Sequence, residues 1–140
     1  MTLWASSRKR LKDPMVDSRL CTLFELCERK WPFDKWEFQI GPTGAYRTKE
    51  MQAEQAKSGA SKTMQSKHCD GLAIDITLYW DNTQSAIWNR YAYAVVAGFI
   101  MTCARELGLK MTWGADWNNN GNIAEENNWE VDFVHWELAN

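Results

Sequence analysis

The chain has 140 residues, enough to bury one core and too few for a catalytic domain plus a separate binding module. Hydrophobic residues make up 45% and tryptophan occurs nine times, as expected of a folded globule, and a formal charge of −2 excludes a protein built to coat nucleic acid. Cys21, Cys27, Cys69 and Cys103 contain no CxxC pair and fit free thiols in a reducing compartment, not a disulfide framework.

The N-terminus has no apolar signal core. Met1 to Ser7 leads into Arg8, Lys9, Arg10 and Lys12, which read as a solvated segment in preference to an envelope-binding patch. Asp17 or Ser18 caps a helix with Leu20, Leu23, Phe24 and Cys27 on one face, ending before Trp31-Pro32. Trp36 to Ile40 is a strand closed by a Gly41-Pro42 turn. Thr48 caps a helix from about Lys49 to Lys57, stopped by Gly59, with Arg47 at its entrance beside a cleft. In LAIDITL, Leu72, Ile74, Ile76 and Leu78 share the core face of one strand, and Asp75 points to the other side. A helix from about Gln84 to Leu107 follows, with Trp88, Tyr91, Val95, Phe99 and Cys103 as its buried stripe and Gly108 as its stop. Its apolar run, 14 residues from Tyr91 to Ala104, is short of the roughly 20 needed to span a bilayer, so no membrane insertion is expected. Leu109 to Trp113 and Phe133 to Leu138 are the last strands. Strands scattered among helices predict an α+β domain over residues 1–140, with a small, mainly antiparallel sheet and packed helices.

Two stretches carry chemistry: SKHCDGLAID, from Ser66 to Asp75, and VDFVHWEL, from Val131 to Leu138. They hold both histidines, each with an aspartate nearby. A catalytic zinc takes three protein ligands and keeps a fourth position open, a count that His68, Asp75 and His135 satisfy. Gly71 lets the chain turn after His68, and the following strand presents Asp75 on its non-core face. Cys69, adjacent to His68, points the other way on an extended chain and is not counted as a ligand. Strand parity puts Asp132 opposite His135, so Asp132 must lie in a bend before the regular strand begins. From there its carboxylate can take a proton from water and return it to a leaving amine, while zinc acidifies that water and polarises a carbonyl. Arg47 offers planar donors of fixed charge to a substrate carboxylate or an oxyanion.

SxHxxGxAxD (Ser66, His68, Gly71, Ala73, Asp75) followed by DxxHxE (Asp132, His135, Glu137) resembles the zinc peptidases that include D-alanyl-D-alanine carboxypeptidases and phage-endolysin L-alanyl-D-glutamate endopeptidases. YRTxExQ (Tyr46, Arg47, Thr48, Glu50, Gln52) and WGADW (Trp113 to Trp117) resemble the endolysin branch, with Ala115 departing from its usual WGGDW. The four blocks cover about Tyr46 to Leu138. The resemblance implies the hedgehog/D-Ala-D-Ala peptidase-like fold, with His68, Asp75 and His135 as zinc ligands and Asp132 as acid-base. Arg47, Gln52 and Ser66 are implied to face the substrate; Trp113 either lines the cleft wall or lies in the core. The implied substrate is the peptide stem of peptidoglycan, cut between L-Ala and D-Glu. The implied protein is a monomer without a separate wall-binding domain. It is made in the host cytoplasm and acts on periplasmic peptidoglycan once a holin permeabilises the membrane. Two alternatives stand beside it: a D-Ala-D-Ala carboxypeptidase or dipeptidase using the same zinc, and a non-catalytic zinc-bound wall-binding module.

The stretch DWNNNGNIAEEN, from Asp116 to Asn127, follows the first half of an EF-hand loop. Asp116, Asn118, Asn120 and Asn122 fall at ligand positions, with Glu125 substituting for the missing final glutamate. Calcium bound there would order the loop leading into Asp132; the alternative is a loop of ordinary turn formers.

Overall fold

The computed structural model describes residues 1–59, 66–123 and 131–139. Two three-stranded antiparallel sheets carry the fold. The first has the order β1 (Trp36–Gln39), β3 (Thr77–Trp80), β4 (Ala86–Ile87); the second runs β2 (Ala73–Asp75), β6 (His135–Leu138), β5 (Met111–Trp113). This is the expected α+β class, with its sheet divided in two.

The division falls inside LAIDITL, expected as one strand and found as β2 and β3. Ile76 lies between them and donates its N–H to the Val134 carbonyl at 2.9 Å, so the chain leaves one sheet and enters the other. Side-chain alternation survives the crossing: Ile74, Ile76 and Leu78 are buried, while Asp75 is only partly covered.

The N-terminal basic segment is not simply solvated. It forms α1 (Ala5–Leu11), a short helix that buries Ser7 and Leu11. The Ser7 hydroxyl donates to Gln39 on β1 at 2.7 Å, Arg8 pairs with Glu28 at 2.8 Å, and Arg10 donates to the Ile40 carbonyl at 2.7 Å. Next comes α2 (Ser18–Lys30), capped by Asp17, whose carboxylate accepts from the Arg19 N–H at 2.9 Å. Leu20, Leu23, Phe24 and Cys27 form its buried face as expected, joined by Leu26. The helix α3 (Lys49–Lys57) has the Thr48 cap and the positive-φ Gly59 beyond its end that its sequence predicts.

The long helix α4 (Arg90–Glu106) differs from expectation at its start and on its buried face. It begins at Arg90 and not near Gln84, because Ala86–Ile87 first pairs with β3; Asn89 then caps the helix by accepting from the Tyr91 N–H at 2.8 Å. Ala92, Tyr93, Val96, Ala97, Ile100, Cys103 and Ala104 are buried, whereas Trp88, Tyr91 and Val95 are 63%, 77% and 54% exposed. Three alanines on the covered face let α4 lie close against α2 and β5. Of the expected stripe, Cys103 is buried as expected and Phe99 packs edge-on against Trp31 and Phe33 at 5.6 and 5.8 Å. No helix among the described residues is long and apolar enough to cross a membrane.

Candidate metal centre

The middle strand of the second sheet, β6, carries His135 directly opposite Asp75 on β2. His68 arrives from the 3-10 turn Lys67–Asp70 that precedes β2. Ser66 caps this turn, its hydroxyl oxygen accepting from the His68 N–H at 3.2 Å. Gly71 closes it at φ +71°, where a Cβ would overlap the Met15 carbonyl oxygen. The spacing from Ser66 through His68 to Gly71 is therefore a capped turn that aims the imidazole at β2.

Asp75 Oδ1 lies 3.1 Å from both His68 Nε2 and His135 Nδ1, and Asp75 Oδ2 accepts from Arg47 at 3.0 Å. One ligand atom from each of His68, Asp75 and His135 falls within 4.8 Å of the others. The far side of each ring is also held: His68 Nδ1 is 2.8 Å from the Ala45 carbonyl, and His135 Nε2 is 2.8 Å from Glu137 Oε1. A carbonyl and a carboxylate only accept, so each neutral ring carries its proton on the far nitrogen and turns a lone pair toward Asp75. Two lone pairs and a carboxylate oxygen directed at one point repel one another unless a cation lies between them. The group can bind a metal ion, and its two imidazoles and one carboxylate match the donor set of a three-ligand zinc site.

Where no ion is bound, protons do the cation's work. Burial disfavours charge on His135, but hydrogen bonds to Asp75 and Glu137 outweigh it and raise the imidazole to about 9. Burial also opposes ionisation of Asp75, yet the His135 and His68 hydrogen bonds hold its carboxyl far below the usual range. Glu137 is lowered against its burial by His135 and by Lys67, whose ammonium is 3.0 Å away.

Asp132 lies in the bend that strand parity requires. Its carbonyl accepts from the His135 N–H at 3.1 Å, with Phe133 and Val134 forming the turn. Gly114 fastens this segment: its carbonyl accepts from the Asp132 N–H at 2.8 Å and its N–H donates to the His135 carbonyl at 2.9 Å. A Cβ on Gly114 would overlap the Asp132 carbonyl oxygen, so the glycine of WGADW is what permits this approach. Solvent reaches Asp132, but protein packed on its inner side raises its carboxyl above the ordinary carboxylate range, and the Asp75 charge adds to this.

Arg47 is 7% exposed and anchored three ways, to Asp75, to the Thr43 carbonyl at 2.7 Å and to Gln52 Oε1 at 3.0 Å. Gln52 is fully buried, and its side-chain oxygen holds that guanidinium. Trp113 belongs to the core and not to a cleft wall. It is 6% exposed, stacks on Trp136 at 6.0 Å and donates its indole N–H to the Phe133 carbonyl at 2.8 Å. The indole at the centre is instead Trp117, half-exposed with its ring 5.3 Å from that of His135. Its place within WGADW was the available signal. Glu137, legible in sequence only as the end of the DxxHxE pattern, shares a strand face with His135 and so has the parity to reach it, and Lys67 joins the site through Glu137.

Asp116, the first residue of the Asn-rich loop, is 7% exposed. Its Oδ2 accepts from the Gly121 N–H at 2.9 Å, while Oδ1 is buried without a hydrogen-bond partner among the described residues. Asn118 and Asn120 accept from the N–H groups of Asn120 and Asn122 at 3.3 and 2.8 Å. Glu125 lies outside the described residues. Among the described residues, His68, Asp75 and His135 are the group of three or more His, Cys, Asp or Glu side chains placed to hold a metal.

Fold and site together define a small α+β protein built around a His–Asp–His group that could hold a metal ion. The chain belongs to the phage L-alanyl-D-glutamate peptidase family, whose model matches residues 1–139. A relative named L-alanyl-D-glutamate peptidase, from Listeria phage A118, is 39% identical over 72 residues, covering 51% of this chain and 24% of its own length. The chain thus spans about a quarter of that curated relative. The crystal structure of the Serratia marcescens L-Ala D-Glu endopeptidase ChiX matches 99% of this chain and 90% of its own, with a TM-score of 0.72 and 24% identity, so the two share a fold.

Proposed function

We propose that the protein is a zinc-dependent endopeptidase that hydrolyses the amide between L-Ala and D-Glu in the peptidoglycan stem. The observation that carries this reading is the convergence of His68 Nε2, His135 Nδ1 and Asp75 Oδ1, with the far nitrogen of each ring already engaged. Zinc held there would supply an acidified water and a polarised scissile carbonyl. Asp132, held in its bend by Gly114, takes the proton from the attacking water and passes it to the departing D-Glu nitrogen. Arg47, fixed by Gln52 and the Thr43 carbonyl, fills the role of substrate or transition-state contact with the donors its three anchors leave over. Ser66 shapes the turn that carries His68.

Membership of a phage family is what we read the cellular route from: synthesis in the host cytoplasm and release through a membrane opened by a holin. Action as a monomer is part of the same reading. Calcium is our reading of the loop at Asp116, Asn118, Asn120, Asn122 and Glu125, supported by the buried Asp116 Oδ1, which has no hydrogen-bond partner among the described residues. A calcium titration that orders the loop by NMR and raises wall lysis bears this out; no change in either ends it.

Metal analysis joined to mutagenesis tests the zinc assignment. His68→Ala and His135→Ala should lose both zinc and lysis. Asp132→Ala should keep zinc and lose activity by about 10²- to 10⁴-fold. Loss of zinc from Asp132→Ala would recast Asp132 as a ligand, and full lysis by zinc-free protein would overturn the reading.

A further inference from the structure

Cys27 on α2 and Cys103 on α4 take no part in the chemistry above, and both are buried in the shared core. They are distant in sequence and adjacent in space. Both are free thiols, and the Cys27 S–H donates to the Cys103 sulfur. Contacts on either side hold the two helices in this register. Less than a turn beyond each cysteine, the Lys30 ammonium meets both carboxylate oxygens of Glu106, at 2.8 and 2.9 Å. One turn after Cys27 and one turn before Cys103, Trp31 packs edge-on against Phe99 at 5.6 Å. The buried Ala104 beside Cys103 keeps the approach close. Packing alone explains a buried cysteine, which behaves as a small apolar residue, but it does not require that two of them meet sulfur to sulfur. The other two thiols are engaged elsewhere: Cys21 donates to Glu25 at 3.0 Å, and Cys69 faces the Thr48 carbonyl at 4.0 Å.

We infer that Cys27 and Cys103 are a redox-dependent cross-link, open in a reducing medium and closed to a disulfide between α2 and α4 in an oxidising one. The cross-link lies outside the metal site and does not depend on which bond the protein cuts. Its co-reactant is a disulfide, small or borne on a protein. One cysteine, as thiolate, attacks that disulfide and expels one sulfur; the other attacks the resulting mixed disulfide and expels the second. The two thiol protons pass to the departing sulfurs, so the chain is oxidised by two electrons and the co-reactant leaves as two thiols. Burial pushes both cysteine thiols above their ordinary range, which makes the closed helix pair slow to react. Closure therefore belongs to folding or to openings of the α2–α4 contact. Once made, the bond ties together a long stretch of chain that includes β1, α3, β2, β3 and β4. A loop of that length loses much of its freedom in the unfolded state, and the fold gains stability accordingly.

The test folds the full chain from denaturant in a buffer rich in glutathione disulfide and, separately, in reduced glutathione. Free thiols are then alkylated and the peptides mapped by mass spectrometry. The oxidising buffer should give one disulfide, joining Cys27 to Cys103, and the reducing buffer none. The oxidised form should melt roughly 5–15 °C higher than the reduced form. In Cys103→Ala, and equally in Cys27→Ala, that difference between buffers should vanish whatever the substitution itself does to Tm. Cys27 and Cys103 still open to alkylation after folding in the oxidising buffer would overturn the cross-link. So would a bond from either to Cys21 or Cys69, or a Cys27–Cys103 bond that leaves Tm unchanged or lowers it. Wall lysis is not a readout, so the peptidase reading stands or falls separately.

Discussion

Asp75 is the residue on which the centre turns, because its carboxylate meets His68, His135 and Arg47 at once. In the absence of zinc, the raised His135, at about 9, carries a proton at pH 7 that must leave when a metal binds. Zinc binding at pH 7 should therefore release a proton from His135, measurable by calorimetry in buffers of different ionisation enthalpy. Apparent affinity should climb about tenfold per pH unit up to pH 9 and flatten above it. The same pairing stabilises the zinc-free fold fully below the ordinary histidine pKa of about 6.5 and is lost as pH rises through about 9. Glu137 acts one step further out. Glu137→Gln, which keeps the size and removes the charge, should weaken zinc about 10- to 100-fold in competition with a chromogenic chelator, and Lys67→Met should do so more mildly. Unchanged affinity in Glu137→Gln would show that the carboxylate does not orient the ring.

At the scale of elements, the site depends on how closely strands approach where no side chain intervenes. Gly114→Ala must push the Asp132 segment away from β5, since the obstacle is backbone and cannot swing aside. A displacement of about 1 Å at a reacting group costs about 10²-fold in rate, so kcat should fall on that order, with zinc retained if His135 stays in β6. Crystallography of the variant would show whether Asp132 has moved. These elements also explain what the sequence disclosed. His68, Asp75, His135 and the Asp132 bend were legible from the SxHxxGxAxD and DxxHxE patterns, and because the Gly71 turn and strand parity are local rules that tertiary packing did not override; the Ser66 cap of that turn was not. The buried face of α4 was not legible, because that helix is apolar on nearly every side. The large residues Trp88, Tyr91 and Val95 form a stripe as regular as the smaller one that packs. The break at Ile76 was hidden for a related reason: the chain changes sheets without breaking its alternation. Trp113 stood between two environments, and only its stack on Trp136 places it in the core.

At the scale of the molecule, the ligands come from a turn and two strands of one sheet, so binding the ion and holding the sheet together are linked. Saturating zinc, at about 1,000 times its Kd, should add about 4 kcal/mol to stability and raise Tm by roughly 10–20 °C in calorimetry. A chelator should reverse the gain. The chain matches the Serratia endopeptidase fold along nearly its whole length, so the same framework holds two divergent sequences. The central claim is the bond that is cut. Purified sacculi should be digested with zinc-loaded protein and, in parallel, with Asp132→Ala, and the fragments identified by mass spectrometry. We expect new N-terminal D-Glu on released peptides and L-Ala left on the glycan, in the wild-type digest alone. Release of free D-Ala with every L-Ala to D-Glu bond intact would contradict that claim.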